Sequence, residues 1–167
     1  MNKIPALGAT LLLLAAAPAL AANPFASVSS LPFPAPPFDK IKDSDYAPAF
    51  EDGMKQQRAE IDAIASNSAA PTFDNTVAAM EKSGRMLDRV TNAFFGVVQA
   101  NTDPTLDKVQ ADEAPKLAAH QDAIYLNATL FARVKAIYGA RASLKLDPEQ
   151  QQLLKIYYRQ FVHAGAN

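Results

Sequence analysis

Apolar residues recur every three or four positions over most of the chain beyond residue 44, which is the spacing of one face of an α-helix. In the first run these residues are Tyr46, Phe50, Met54, Ile61 and Ile64 or Ala65. Asp45 is predicted as the N-cap, which places Pro48 at the third helical position, where a missing N–H loses no helical partner. The helix is predicted to end at Ser66-Asn67-Ser68, before Pro71.

A second helix is predicted to start near Thr72 or Asp74, either of which can cap it, and to continue to about Ala100. Its apolar face contains Phe73, Val77, Met80, Leu87, Val90 or Thr91, Phe94 and Val97 or Val98. Gly84 lies on that face inside the predicted helix, where glycine costs about 1 kcal/mol relative to alanine. We therefore expect a neighbouring backbone to approach closely at Gly84. Two long runs joined by a short turn should pack antiparallel.

A third helix is predicted to open at Asp103-Pro104, an N-cap followed by a first-position proline. It ends at Tyr125, and Pro115 predicts a kink or break near Ala114 because it removes one backbone hydrogen bond. The inward residues are Leu106, Val109, Leu117 and Ile124.

Two more start signals follow. Asn127 can cap a fourth helix, and Asp147-Pro148-Glu149-Gln150 combines a cap, a first-position proline and a capping-box glutamine at the start of a fifth. The apolar residues of these helices are Leu130, Phe131, Val134, Ile137, Tyr138, Leu153, Leu154, Tyr157, Tyr158, Phe161 and Val162. No convincing strand pattern occurs, so the predicted fold is an all-α antiparallel bundle of about five helices over residues 45–167.

Residues 1–22 are predicted to be a secretory signal peptide. Lys3 precedes an apolar run from Leu7 to Ala17, and Ala19-Leu20-Ala21 is a small-x-small cleavage site. A membrane anchor or buried helix is the alternative, but the apolar run is short for a span of about 20 residues. We expect an exported, periplasmic protein with no membrane contact after cleavage.

Residues 23–44 are rich in proline and should be extended, since proline disfavours helix at its own position and at the residue before it. Phe25, Leu31, Phe33 and Phe38 lie among the prolines. We expect them to pack along the body as an apolar strap, although a proline-rich ligand for another module is the alternative.

The composition of the chain limits the classes of function that are possible. The 167 residues carry a net charge of −1 and no cysteine. A net charge of −1 gives no electrostatic reason to expect nucleic acid as a partner. Without cysteine there is no disulfide, thiolate ligand or cysteine nucleophile.

No residue pattern in the chain specifies catalysis, cofactor binding or metal binding. His120 and His163 lie on different predicted helices without a His-Glu-x-x-His motif, and both are expected at the surface or half-buried. A metal site that combines both histidines with a carboxylate is the alternative. The adjacent acidic pairs Glu51-Asp52 and Asp112-Glu113 diverge on a helix and are expected to be exposed.

The tyrosines of the later helices offer one more possibility. Tyr125, Tyr138, Tyr157 and Tyr158 could contact a ligand, but at helical spacing they are expected in the core or at its rim.

Several segments resemble, in order and spacing, the start of zinc peptidases of the thimet oligopeptidase family, in particular the bacterial peptidyl-dipeptidase branch. They are Pro32-Phe33, Pro36-Pro37-Phe38-Asp39-Lys40-Ile41, Asp45-Tyr46-Ala47-Pro48-Ala49-Phe50, Pro71-Thr72-Phe73-Asp74-Asn75-Thr76, Met80-Glu81-Lys82-Ser83-Gly84, Gln99-Ala100-Asn101-Thr102, Glu113-Ala114-Pro115-Lys116-Leu117 and Asp122-Ala123-Ile124-Tyr125-Leu126-Asn127.

The resemblance implies a larger helical enzyme that cleaves oligopeptides, releasing C-terminal dipeptides, in a deep channel. Its zinc lies on a His-Glu-x-x-His helix in a C-terminal catalytic part that this chain lacks. The chain corresponds to N-terminal helices that help form the channel wall, so it is expected to bind no zinc and to be inactive alone. The alternative is a self-contained exported helical module that binds peptides or another protein.

Overall fold

The computed structural model describes residues 23–166, and these residues form helices joined by short turns. The helices are α1 (Asp43–Ala65), a π-helical segment (Phe73–Ala78) that leads into α2 (Ala79–Lys82), α3 (Arg85–Ala100), α4 (Pro104–Tyr125), α5 (Ala128–Ala140) and α6 (Pro148–Ala164). No strand occurs within residues 23–166, which confirms the all-α prediction. The predicted signal peptide, residues 1–22, lies outside the described residues. Nowhere in the described range is a helix both long and apolar enough to cross a bilayer.

Helix α1 begins earlier than predicted. Its N-cap is Lys42, and the Lys42 backbone N–H donates to Asp45 Oδ2 at 2.9 Å, so Asp45 lies inside the first turn and does not cap the helix. Pro48 is consequently the sixth residue of the helix, and not the third. The Ser44 carbonyl loses its helical partner as a result, a cost that the buried neighbours Ala49 and Phe50 offset by packing.

The second predicted helix is divided in two. Thr72, and not Asp74, caps it, with Thr72 Oγ1 accepting from the Asn75 N–H at 3.1 Å. Ser83 has extended backbone (ψ 158°) and Gly84 is left-handed (φ 75°), so α2 ends and α3 begins at this pair. The prediction of one continuous helix with Gly84 in its interior is therefore wrong. Gly84 supplies a conformation that other residues adopt at a cost.

The remaining caps are confirmed. Asp103, Asn127 and Asp147 each accept hydrogen bonds from backbone N–H groups in the first turn of α4, α5 and α6. Helix α4, however, continues without a break through Pro115. Near that proline, Lys116 pairs with Glu51 of α1 and Glu113 is buried, and these interactions compensate for one lost backbone hydrogen bond.

Helix α1 packs against both halves of the molecule. Its N-terminal half runs antiparallel to α3, since Phe50 contacts Phe94 while Gly84 lies beside Gln57. Two apolar clusters result. The first contains Phe25, Tyr46, Ala49, Phe50, Met54, Leu87, Val90, Ala93, Phe94, Leu106 and Val109. The second contains Ile61, Ile64, Ala65, Val77, Met80, Leu130, Phe131, Val134, Ile137, Leu154 and Phe161.

The proline-rich segment before α1 contains no helix, in agreement with its prolines, but it forms turns and bends where an extended segment was predicted. Phe25 is buried against Tyr46, and its carbonyl accepts two hydrogen bonds from the Arg89 guanidinium at 2.8 and 3.0 Å. Leu31, Phe33 and Phe38, in contrast, are exposed, and Phe33 is 97% exposed. The strap prediction is thus correct for Phe25 and wrong for the other three, because the turns of residues 31–40 carry those side chains away from the helices.

Candidate functional site: a cleft between the two apolar clusters

A cleft of about 360 Å³ lies where the two apolar clusters meet. Its walls come from α1, the α2–α3 junction, α4 and α6. The lining residues are Gln57, Ile61, Met80, Ser83, Leu87, Asp88, Thr91, Leu117, His120, Gln121, Ile124, Tyr125 and Tyr157. This volume is at the lower end of the range of small-molecule sites. The cleft is the candidate functional site because its walls come from four parts of the fold and include the buried His120.

His120 of α4 is the most unusual residue of the cleft. It is only 4% exposed, so the prediction of a surface or half-buried position is wrong. Its Nε2 lies 2.8 Å from Gln57 Oε1, and its Nδ1 has no hydrogen-bond partner. Burial, and secondarily the positive charge of Arg58, lowers the pKa of His120 below its ordinary value. The ring is therefore neutral at neutral pH.

The α2–α3 junction forms another part of the wall. The Gly84 N–H donates to Glu60 Oε2 at 2.7 Å, and a Cβ at Gly84 would lie 2.4 Å from Gln57 Nε2. The expected close approach at Gly84 therefore comes from a side chain of α1. The close backbone contact between α1 and α3 lies instead at Gly53, where a Cβ would come within 3.0 Å of Leu87 Cα.

Two of the four tyrosines line the cleft. The Tyr157 hydroxyl donates to Glu81 Oε2 at 2.7 Å, and the Tyr125 hydroxyl donates to Gln160 Oε1 at 2.7 Å. Burial, followed by interactions with the Glu81 carboxylate, raises the pKa of both tyrosines above the ordinary value. Both hydroxyls are thus protonated donors whose hydrogen bonds are already made within the protein.

The other two tyrosines lie elsewhere. Tyr138 and Tyr158 stack on each other with ring centroids 4.0 Å apart, and Arg141 lies over the Tyr138 ring. Both are half-buried, at the rim of the second cluster, as expected from their helical spacing.

The acidic pairs on α1 and α4 differ from each other. Glu51, Asp52 and Asp112 are exposed, as predicted, whereas Glu113 is only 2% exposed. Glu113 Oε1 accepts from Lys116 Nζ at 2.9 Å, and its Oε2 has no partner. Its burial follows from the side of α4 on which it lies, which faces α1.

No cluster of three side chains suited to metal binding occurs within residues 23–166. The two histidines have different environments: Gln57 engages His120, while His163 is exposed on α6. The described residues therefore do not fit a zinc site.

A further important residue, Arg133 of α5, was not anticipated from the sequence. It is buried, and its guanidinium donates to the carbonyls of Asn67 and Ala69, to Asn75 Oδ1 and to Thr76 Oγ1. These groups belong to the turn that follows α1 and to the π-helical segment. A signal for it exists in the sequence, since Arg133 shares the apolar face of Leu130, Val134 and Ile137.

No known protein-family profile matches the chain. Two individual proteins do. The chain is 46% identical over 147 residues to a dipeptidyl carboxypeptidase of Salmonella typhimurium, an alignment that covers 88% of this chain and 22% of that protein. It is also 46% identical over 144 residues to a dipeptidyl carboxypeptidase of Escherichia coli, with coverage of 86% and 21%.

The chain thus spans about a fifth of the length of the curated relatives that it matches. This confirms the resemblance to the bacterial peptidyl-dipeptidase branch that the ordered sequence motifs indicated. The chain is a partial relative of the dipeptidyl carboxypeptidases, consistent with an N-terminal portion of such a peptidase.

Proposed function

We propose that this chain forms the N-terminal helical part of an exported peptidyl-dipeptidase, where it contributes one wall of the channel that admits short peptides. The observation that supports this most strongly is the 46% identity over 88% of the chain to proteins that are several times longer. The proposal assigns the zinc and its general base to the remaining part of such an enzyme.

If this proposal is correct, the isolated chain has no peptidase activity. A peptide with a blocked amino terminus and a free C-terminal dipeptide, incubated with the purified chain and zinc, should remain intact. A matched sample of a full-length dipeptidyl carboxypeptidase should release the dipeptide. Dipeptide release by the chain alone, retained after removal of trace peptidases, would contradict the assignment of catalysis to another part.

The genetic context provides an independent test. Translation of the DNA beyond codon 167 in the same frame should continue and reach a His-Glu-x-x-His motif. If it does not, the assignment to a longer enzyme is wrong for this gene.

Export can be tested separately from activity. A fusion of residues 1–30 to a reporter that functions only outside the cytoplasm should be active. Replacing Leu12 and Leu13 with arginine should abolish that activity, because charge in the apolar run prevents recognition as a signal peptide. An active fusion with both arginines would count against the export proposal.

A self-contained binding module is the second candidate, and the cleft favours it because four walls come from this chain alone. This candidate requires that the chain unfolds cooperatively and binds a ligand without any further protein. Absence of binding of any peptide or protein to the folded, purified chain would favour the peptidase part instead.

A further inference from the structure

Residues 26–38, called here the apolar loop, form an exposed surface without charge. The loop contains no Asp, Glu, Lys or Arg. Its large apolar side chains are exposed: Phe33 is 97% exposed, and Val28, Leu31 and Phe38 are exposed as well. Several exposed apolar residues grouped on one surface mark an interaction site, whereas single exposed apolar residues need no explanation.

The apolar loop is held to the helices at both ends. Before the loop, Phe25 is buried, and its carbonyl accepts two hydrogen bonds from the Arg89 guanidinium. After the loop, Ile41 packs against the first apolar cluster. The exposed side chains therefore belong to an anchored part of the protein and not to a free tail.

The backbone of the loop is folded into turns. The Ala35 N–H donates to the Pro32 carbonyl at 3.2 Å, and the Phe38 N–H donates to the Pro36 carbonyl at 2.9 Å. A polyproline II helix has no internal hydrogen bonds, so these turns do not offer the extended ligand that proline-binding modules recognise. Because prolines restrict the backbone, the loop loses little conformational entropy when a partner covers it.

The exposed apolar residues on the helices have a different setting. On α6, Ile156 is 41% exposed, and the hollow that it lines is also lined by Arg159 and Gln160. Such a mixture of apolar and polar groups is ordinary for a protein surface in water. The apolar loop differs because it combines an almost fully exposed aromatic ring with an uncharged sequence.

The relatives indicate what covers this surface. The alignments leave most of each dipeptidyl carboxypeptidase outside the matched portion, since they cover only 22% and 21% of those proteins. If the chain is the N-terminal part of such an enzyme, the remaining part packs on it. Permanent interfaces of this kind are more apolar than transient ones, and their cores are depleted of charged residues.

We propose that the apolar loop is a docking surface for the remaining part of the peptidase, which buries Phe33 and Phe38 as aromatic anchors. This inference rests on the proposed function, and it names the surface at which the two parts of the enzyme meet.

The test measures how accessible the loop is in this chain and in the full-length product of the gene. The chain contains no cysteine, so an introduced thiol reports one position. Ala35→Cys places the thiol on the loop at an exposed residue. Lys108→Cys is the matched control, because the Lys108 side chain is 75% exposed on α4. Mass spectrometry of the peptide that contains each thiol gives its rate of alkylation by iodoacetamide.

We expect both thiols to react rapidly in the chain alone. In the full-length protein, the thiol at position 35 should react about tenfold more slowly or less, since it reacts only when the contact opens. The thiol at position 108 should react at the same rate in both proteins. Adding Phe33→Ala and Phe38→Ala to the Ala35→Cys protein should restore rapid alkylation, because both anchors are then lost.

The outcomes separate this proposal from the function on which it rests. Equal alkylation at position 35 in the chain and in an active full-length protein would overturn the docking proposal alone. Slow alkylation that persists after Phe33→Ala and Phe38→Ala would overturn it too. Protection that rises with the concentration of the chain alone would overturn it in favour of a second copy. A reading frame that ends at codon 167 would overturn the proposed function, and the docking proposal with it.

Discussion

Asn75 accepts a hydrogen bond from Arg133 through its side-chain oxygen, at 3.0 Å, and so joins the π-helical segment to α5. The same oxygen accepts from the Thr72 N–H at 2.8 Å and from the Thr76 hydroxyl at 2.9 Å. One amide thereby completes a helix cap and stabilises a buried cation.

Replacing Asn75 with alanine should therefore be costly. Loss of the capping-box hydrogen bond from the Thr72 N–H contributes about 1 kcal/mol, and loss of a hydrogen bond to a buried charge contributes about 1.5–3 kcal/mol. We expect Asn75→Ala to lower the free energy of unfolding by about 2–4 kcal/mol, measured by urea denaturation. Asn101→Ala is the control, since Asn101 is exposed and its side chain makes no hydrogen bond among residues 23–166. Equal stability of the two variants would contradict this role of Asn75.

The contact between α1 and α3 predicts opposite effects for two glycines. Gly53→Ala places a methyl group 3.0 Å from Leu87 Cα and should destabilise the fold by about 1–3 kcal/mol. Gly96→Ala meets no atom within 4 Å and should stabilise α3 by about 0.5–1 kcal/mol. Thermal unfolding of both variants measures the difference. A stabilised Gly53→Ala variant would show that the helices do not approach this closely.

The depressed pKa of His120 predicts the pH dependence of stability. The unfolded imidazole has a pKa of about 6.5, and burial and Arg58 lower the folded value. The unfolded state therefore binds the proton more readily, so the stability contributed by the neutral ring is fully present above pH ~6.5 and is lost as the pH falls through the folded pKa. The urea midpoint should fall between pH 7.5 and pH 5.

The histidine variants isolate this effect. His120→Gln should show a smaller fall in the urea midpoint between the same two pH values than the unchanged chain. His163→Gln should retain the full fall, because His163 is exposed. A fall that is the same in all three proteins would assign the pH dependence to other groups.

The proline-rich segment predicts unequal effects for two phenylalanines. Phe25 is buried against Tyr46, so Phe25→Ala should cost about 3–5 kcal/mol. Phe33→Ala should change stability by less than about 0.5 kcal/mol, because the ring is exposed. Chemical denaturation of both variants measures these changes in the free energy of unfolding. A large loss from Phe33→Ala would mean that this ring packs against the protein after all.

Much of the fold could be predicted from the sequence, for reasons that individual residues illustrate. The caps at Asp103, Asn127 and Asp147 are local, because each side chain bonds to backbone within three residues. Helical periodicity likewise identified most inward residues of α5 and α6, since a buried stripe is a property of one helix. It missed the buried Arg133 and wrongly included Val162, which is 44% exposed.

The incorrect predictions have a common cause. The features that they concern depend on contacts between helices. The Ser83–Gly84 pair could signal a break, but the Glu60 carboxylate that binds the Gly84 N–H is 24 residues away. The continuity of α4 through Pro115 likewise depends on its packing against α1. Neither the Glu60 contact at Gly84 nor the packing of α4 on α1 can be identified from the sequence close to the break or the proline.

The cleft itself could not be predicted for the same reason. Gln57 and His120 lie 63 residues apart, and each is unremarkable in its own helix. Their pairing is a property of the way α4 lies on α1, which periodicity does not specify.

Helix α1 contributes side chains to both apolar clusters, and this has a consequence for folding. Phe50 and Met54 belong to the first cluster, whereas Ile61 and Ile64 belong to the second, on the same continuous helix. Neither cluster can lose α1 without exposing the apolar residues that pack against it. The two halves should therefore act as one foldon, with slow amide hydrogens of α3 and α5 exchanging at the same free energy of opening.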